Sequence, residues 1–415
     1  MKILLWMMLP LLVSAQSYDL KSLIVHADSS NALIKAKEIG MKAKKEEVEA
    51  ARSAYWPTFD VGVGYDMKSP NTIVAPGGTA TAYASLNMEL YDGGRKDALL
   101  RGKGFEYDAS RFEKEAFKKS MTLEIVQHYF TIQKQKANLQ ALKERSNELK
   151  AQIERIRKFR TAGLSTQEDI DKLQAVYDNN AYTIESTELA LAQSREQLQL
   201  LCGLPVTSLK QSRFKEVKKT TFEFFEQIRM MQAQAHAVAE SANAIDAAYK
   251  PQVKLSDIYS GSHYNDTASM PGFPGDGLLP DHQNSLVVSM NMRLFDHGRM
   301  AKESEAVKYK RLALLSEIEY AKKEQKMNFR LAQKSLRTTR SKLKSAKSAL
   351  RSAQSTYRVV KQKFNVGLED NIAYLDALAQ KTLTQARYKE TLYDYEIGKS
   401  IYYYYAGKDP KEFIQ

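Results

Sequence analysis

The sequence predicts a mainly α protein with a small transmembrane β part, laid out as two structural repeats per chain. Three observations predict this. A helical pattern gives way to an alternating strand at Ala54-Tyr55-Trp56-Pro57 and again at Ala248-Tyr249-Lys250-Pro251. A second strand is left through Leu90-Tyr91-Asp92-Gly93-Gly94-Arg95, and again through Leu294-Phe295-Asp296-His297-Gly298-Arg299. Two very long stretches, Phe105 to Ala162 and Arg299 to Val366, contain neither glycine nor proline. Each half therefore reads as helix, strand, strand and long helical hairpin. Pro57 to Asp92 is 35 steps and Pro251 to Asp296 is 45, so the second copy carries ten more residues between its strands.

In chain order, residues 1–15 read as a secretory leader. Lys2 is the basic start, Ile3 to Val13 is an apolar stretch too short to span a bilayer, and Val13-Ser14-Ala15 offers small residues for cleavage before Gln16. The first repeat is then 16–205, with strands at about 58–67 and 82–91 and a hairpin at about 95–202. A linker at 206–222 follows. The second repeat is 223–415, with strands at about 252–260 and 285–295 and a hairpin at about 299–405. No helical span is expected, yet an exported chain without one still enters a membrane if it closes a barrel. The single cysteine, Cys202, excludes an intrachain disulfide framework, and none follows the leader to take a lipid anchor. Lys and Arg number 62 against 49 Asp and Glu, a formal charge of +13. These charges are spread along helix faces and the chain is exported, which argues against nucleic acid.

The long helices carry a coiled-coil seam. Leu336, Thr339, Leu343, Ala346, Leu350, Ala353, Tyr357, Val360 and Phe364 alternate steps of three and four. The return helix repeats it with Ile184, Thr187, Leu191, Ser194, Leu198 and Leu201. Gly163 and Gly367 are expected to end the outgoing helices in the left-handed conformation and open short turns. The first turn has one more residue between Phe159 and its glycine than the second has after Phe364, so a different loop geometry is expected. A helix from Arg95 or Arg299 to these glycines is roughly 100 Å long.

The strands alternate. Phe59, Val61, Val63, Tyr65 and Met67 share one side, with Asp60, Gly62, Gly64 and Asp66 on the other. Leu86, Met88 and Leu90 form the apolar side of the second strand. Leu286, Val288, Met290, Met292 and Leu294 form that of the fourth, while Asp257 shares the side of Val253, Leu255 and Tyr259 in the third. Such strands suit an outer-membrane barrel, apolar toward lipid and polar toward the lumen. Gly62, on the lumen side, is expected to accept a side chain. Four strands cannot close a barrel, and an open edge is not tolerated in lipid, so copies must associate. Three copies would give twelve strands, a number the strands themselves do not dictate.

No phosphate loop, zinc helix or nucleophile elbow is present, and nothing marks an enzyme. No cofactor or metal is expected. His263 and His282 share the second loop with Asp266, Asp276 and Asp281, but the spacing matches no metal site. Tyr402 to Tyr405 read as packing at a helix end. Asp92 and Asp296 are expected to cap the helices that follow them.

Taken in order, these motifs resemble the TolC family of outer-membrane efflux proteins. Those that carry the likeness are Tyr55-Trp56-Pro57, Tyr91-Asp92-Gly93-Gly94-Arg95, Ala162-Gly163-Leu164 and Leu201-Cys202-Gly203-Leu204-Pro205. Their second-half counterparts are Tyr249-Lys250-Pro251, Phe295-Asp296-His297-Gly298-Arg299, Val366-Gly367-Leu368 and Tyr405-Ala406-Gly407. The resemblance implies a homotrimer whose twelve-stranded barrel in outer-membrane lipid continues as a periplasmic α-helical barrel. It implies a passive exit duct of a tripartite efflux or type I secretion system, worked with a periplasmic adaptor (membrane fusion) protein and an inner-membrane pump of RND or ABC type. It also implies a periplasmic gate at Asp169, Glu369, Asp370 and Asp376. Ala373 departs from the family's second aspartate, and Glu369 stands where some members are basic. Adaptor docking would fall on Ala162, Gly163, Leu164, Val366, Gly367 and Leu368. Lipid contact would fall on Phe59, Val61, Val63, Tyr65, Leu86, Met88 and Leu90. The competing readings are a structural periplasmic coiled coil and an adaptor protein, neither with a pore.

Overall fold

The computed structural model describes residues 17–217, 220–268, 272 and 279–415. The expected leader, 1–15, and Asp276 fall outside them. A short strand β1 (Ser17–Tyr18) precedes helices α1 (Leu20–Ser30) and α2 (Ala32–Ser53). Strands β2 (Thr58–Met67) and β3 (Gly78–Tyr91) lead into the hairpin of α3 (Arg95–Thr161) and α4 (Gln167–Cys202). Strand β4 (Ser208–Leu209) begins the connection to α5 (Glu226–Ala247). The series then recurs as β5 (Gln252–Asn265), β6 (His282–Asn291), α6 (Arg299–Asn365) and α7 (Asn371–Tyr405), with a last 3-10 turn at Pro410–Phe413. Helices α3 and α6 have 67 residues each.

These elements gather into two compact units, and each unit draws on both repeats. One unit comprises Ile39–Glu113 and Gln227–Tyr320. It contains a four-stranded antiparallel sheet in the order β2-β3-β5-β6. Both outer edges, β2 and β6, lack a partner among the described residues. The strand ends differ from the sequence expectation. β3 starts at Gly78 rather than about 82, because the small residues Thr79, Ala80 and Thr81 keep pairing with Asp66, Tyr65 and Gly64. β5 runs on to Asn265, opposite Gly78. β6 covers His282–Asn291 rather than about 285–295, because Asn291 faces Gln252, the first residue of β5 after Pro251. Proline has no N–H to extend that ladder.

The strand-to-helix corners match between the repeats. Gly93 and Gly94 have φ of +73° and +91°, and His297 and Gly298 have φ of +56° and +78°. That curl lets Asp92 accept from the Gly94 and Lys96 N–H groups at 3.1 and 2.7 Å. Asp296 accepts likewise from Gly298 and Met300, at 3.0 and 3.1 Å. Both aspartates thus cap from just outside the helix, satisfying first-turn donors. A Cβ on Gly93 would lie 2.5 Å from the Ala247 carbonyl oxygen, so only glycine fits there.

The other unit comprises the described residues up to Glu38, Lys114–Glu226 and Ala321–Gln415. Its larger core joins Leu20, Leu23, Ile125, Tyr129 and Phe130 to Leu198, Phe214 and Tyr403. The segment expected as a linker, 206–222, contributes Val206 and Phe214 to this core, with Leu209 and Val217 packed against it. Val206 and Phe214 are buried, β4 pairs in parallel with β1, and Phe214 bridges to Ile414. A buried ion pair fixes the segment: Lys399 meets Glu396 at 2.8 Å and donates to the Phe214 carbonyl at 2.8 Å. Glu396 in turn accepts from the Phe214 N–H at 2.7 Å. Each buried charge is therefore both paired and hydrogen-bonded, as burial requires. Tyr403 stacks on Phe413 with centroids 3.7 Å apart, and Tyr404 lies 4.9 Å from Phe225, so the tyrosine run packs. The seam residues from Leu336 to Phe364 are buried or half-buried.

Candidate channel-forming surfaces

The sheet register places whole rows on one face. Phe59 faces Leu86, Val61 faces Ala84, Val63 faces Ala82 and Tyr65 faces Ala80. Across β5 the same face continues: Met88 faces Leu255, Leu255 faces Val288 and Val253 faces Met290. Phe59, Val61, Val63 and Tyr65 are 60–86 % exposed, Leu86 and Leu90 are exposed, and Met88 is half-buried. Leaving such side chains in water forfeits roughly 1.5–3 kcal/mol each, so a patch of this extent marks a face made for an apolar medium. Asp257 lies in the middle of this face, with one carboxylate oxygen buried and unpartnered among the described residues, and His263, His282 and Asn284 lie toward one end of it.

The opposite face is mostly polar, with Tyr83, Ile258 and Val287 as its large apolar members. Asp60 and Ser285 lie on it, Thr81 and Ser262 hydroxyls meet at 3.1 Å, and Ser256 donates to Asn87 at 2.8 Å. Gly62 does not have the free space expected of it. A Cβ there would lie 2.5 Å from the Tyr83 ring, which fills the site glycine leaves open. Gly64, on the same face, has nothing within 4 Å.

At the far ends of the helices, both hairpin turns form the same motif. Gly163 and Gly367 have φ of +73° and +76°. The Leu164 N–H donates to the Phe159 carbonyl and the Gly163 N–H to Arg160; Leu368 and Gly367 donate likewise to Lys363 and Phe364. The geometry is counted from the glycine, so the offset of Phe159 against Phe364 leaves the turn unchanged. The offset rotates the ring instead: Phe364 is buried and Phe159 half-buried. Ala162, Gly163, Leu164, Val366, Gly367 and Leu368 are all exposed, the two leucines at 74 and 77 %.

The carboxylates begin the return helices. Asp169 closes a capping box with Thr166, and its Oδ2 also accepts from Ser165 at 3.0 Å. The Thr166 N–H and hydroxyls hold its carboxyl below the usual carboxylate range. Asp370 caps α7 by accepting from the Ala373 N–H at 2.8 Å. Glu369 is half-buried with Lys363 at 3.9 Å, so a cation stands beside the acidic group. Asp376 is exposed. Ile170 and Ala377, the neighbours of Asp169 and Asp376, belong to one core with Leu149, Tyr357, Phe364 and Tyr374.

Sequence reasoning missed the groups that join the two hairpin ends. Lys361 donates to both oxygens of Glu148 at 2.9 Å, and the Tyr374 hydroxyl donates to Glu148 at 3.0 Å. Burial alone would raise the Glu148 carboxyl, but these partners outweigh it and the net direction is down. Arg155 lies over the Phe364 ring at 4.7 Å and donates to the Phe364 carbonyl at 3.2 Å and the Asn365 side chain at 2.9 Å. Periodicity marks Tyr374 as apolar-facing, but no spacing reveals partners 213 or 226 residues away.

The family model described as outer membrane efflux protein matches residues 23–204 and 226–398, one segment in each repeat. No curated protein matches the chain. Among solved structures, a membrane protein from Pseudomonas aeruginosa superposes with TM-score 0.81 at 17 % identity, covering 94 % of this chain and 93 % of the other. The outer membrane protein VceC from Vibrio cholerae gives 0.80 at 13 %, covering 94 and 96 %. The Campylobacter jejuni CmeC outer membrane channel gives 0.79 at 16 %, covering 94 and 85 %. The open-edged sheet and paired hairpins are thus the two-repeat fold of such channels. The chain belongs to the outer membrane efflux protein family and is a subunit of an outer-membrane efflux channel.

Proposed function

We propose that three copies join edge to edge, β6 of one beside β2 of the next, and close a twelve-stranded barrel continued by their helices into the periplasm. The observation that carries this reading is the sheet with two edges unpaired among the described residues and one exposed apolar face. In lipid such edges must be paired. Phe59, Val61, Val63, Tyr65, Leu86, Met88 and Leu90 would then meet lipid. The chain reaches this membrane through the leader at 1–15. The duct works passively with a periplasmic adaptor and an inner-membrane pump. Native mass determination in detergent tests the assembly: a three-chain complex is expected, and a stable folded monomer in the soluble periplasmic fraction overturns it.

The same reading gives the hairpin ends a gating role. Asp169 keeps its charge at the start of α4, and a three-fold ring of Asp376, with Asp370 and Glu369 near it, would concentrate negative potential in a narrow mouth. Asp376→Asn is expected to weaken block by multivalent cations in planar-bilayer recordings. Unchanged block and selectivity after neutralising Glu369, Asp370 and Asp376 together would remove the gate from these residues.

A further inference from the structure

The apolar face of the sheet is not filled evenly. Along its middle the residues are small: Ala80, Ala82 and Ala84 of β3, and Gly261 of β5 opposite Ala82. On one side stand Val61, Val63 and Tyr65 of β2, opposite Ala84, Ala82 and Ala80 in turn. On the other stands Tyr259 of β5, 57 % exposed. The step from large to small side chains leaves a groove of about 620 Å³, lined by Val61, Val63, Ala82, Ala84, Tyr259 and Gly261. Leu86 is the first large residue of β3 on this face toward the helices. From Ala84 to Gly78 the strand makes six steps, all of them past small residues on this face. Such a run is roughly 20 Å long. Tilted by about 40°, it rises about 15 Å, which is one leaflet's half of a hydrocarbon core about 30 Å thick.

At the end away from the helices the same face turns polar. Tyr65, His263, His282 and Asn284 lie on it and are exposed. None of the four has a side-chain hydrogen bond among the described residues. The Tyr65 hydroxyl leans over Gly78, where a Cβ would lie 2.5 Å from it. Each of these side chains can donate a hydrogen bond. The carboxylates of Asp66 and Asp281 alternate onto the other face. On β6 the aliphatic run stops at Leu286, so Asn284 and His282 begin where the apolar face ends.

We propose that the groove holds an acyl chain of a phosphate-bearing membrane lipid. His263 and His282, diagonal neighbours on adjacent strands, donate to its phosphate, and Tyr65 and Asn284 donate to the oxygens beside it. This rests on the barrel in lipid proposed above and adds to it a site for one lipid per copy. A chain seated in the groove touches protein on three sides, so it gains more close contacts than a chain lying on a flat face. The occupant is a lipid and not a second copy. The floor of the groove belongs to β3 and β5, which already have strand partners on both sides, and the next copy reaches only the edges β2 and β6. The groove is also continuous with the face assigned to lipid, and its polar end supplies donors without a carboxylate among them.

Native mass determination tests the site on the assembled protein, stripped of lipid in detergent and then given phosphatidylglycerol. A three-chain species retaining this lipid, one per copy, is expected. Ala82→Phe fills the groove with apolar volume and is expected to lose the retained lipid. Met290→Phe, on the same face outside the groove, is expected to keep it. His263→Ala with His282→Ala is expected to weaken retention by about tenfold or more. Diacylglycerol with the same chains is expected to bind the unaltered protein as weakly. If Ala82→Phe fails to assemble, the histidine variant and the comparison of the two lipids decide. Equal retention by the unaltered protein and by these variants means that lipid lies anywhere on the face, and overturns the site. Equal retention of the two lipids, or inorganic phosphate bound as tightly as phosphatidylglycerol, overturns the headgroup assignment. A three-chain mass with no retained lipid overturns this site alone, whereas a one-chain mass overturns the barrel on which it rests.

Discussion

Val61→Arg is expected to abolish assembly of the barrel and remove the protein from the outer membrane. Val61 is 73 % exposed and paired with Ala84 near the middle of the β2–β3 ladder. An arginine at mid-membrane depth costs about 2–4 kcal/mol in a barrel, and three copies multiply that to roughly 6–12 kcal/mol. The control is Gly64→Ser, where the polar face has open space. Gly62→Ser is a poorer control than the sequence suggests, because it must first displace the Tyr83 ring. The readout is heat-modifiable, detergent-resistant trimer in purified outer membranes. Equal loss from Val61→Arg and Gly64→Ser would contradict the assignment of the apolar face to lipid.

Leu368→Asp is expected to leave trimer and barrel intact and to abolish export in cells. Leu368 is 77 % exposed at the end of its hairpin, with Val366 at 70 % and Leu164 at 74 % on the two turns. If an adaptor docks here, exposed apolar groups on glycine turns would give it a close, desolvated contact, and a carboxylate there would be left without a partner. Gly367→Asp should act the same way but less cleanly. Its φ of +76° adds a left-handed backbone cost of roughly 1–2 kcal/mol for a side chain. Export is read as substrate accumulation with the cognate pump present, and assembly as native mass. Normal assembly together with full export would take docking away from these turns.

The order of elements was legible because its signals are local. Long runs without glycine or proline, a glycine at each hairpin end and strict alternation in the first strand all act within a few residues. Strand ends were not, because partners set them: Gly78 to Thr81 read as loop until β2 and β5 pair with them. The inter-repeat segment misled for the same reason. Its polar composition reads as linker, but Phe214 is buried by Phe130 and Ile414 and held by Lys399 and Glu396. At the hairpin ends, the capping residues Asp169 and Asp370 could be found from the turns beside them. The Glu148, Lys361 and Tyr374 cluster could not, since charge pairing across separate helices leaves no periodic trace.

The core around Leu20, Phe130, Phe214 and Tyr403 has a consequence for biogenesis. Early residues must wait for much later ones: β1 needs β4 in the middle of the chain, and Phe214 needs Ile414 near its end. Contacts of such high sequence separation are slow to form, and the intervening chain stays sticky while they do. The first repeat on its own therefore carries an incomplete core until the final tyrosines join it.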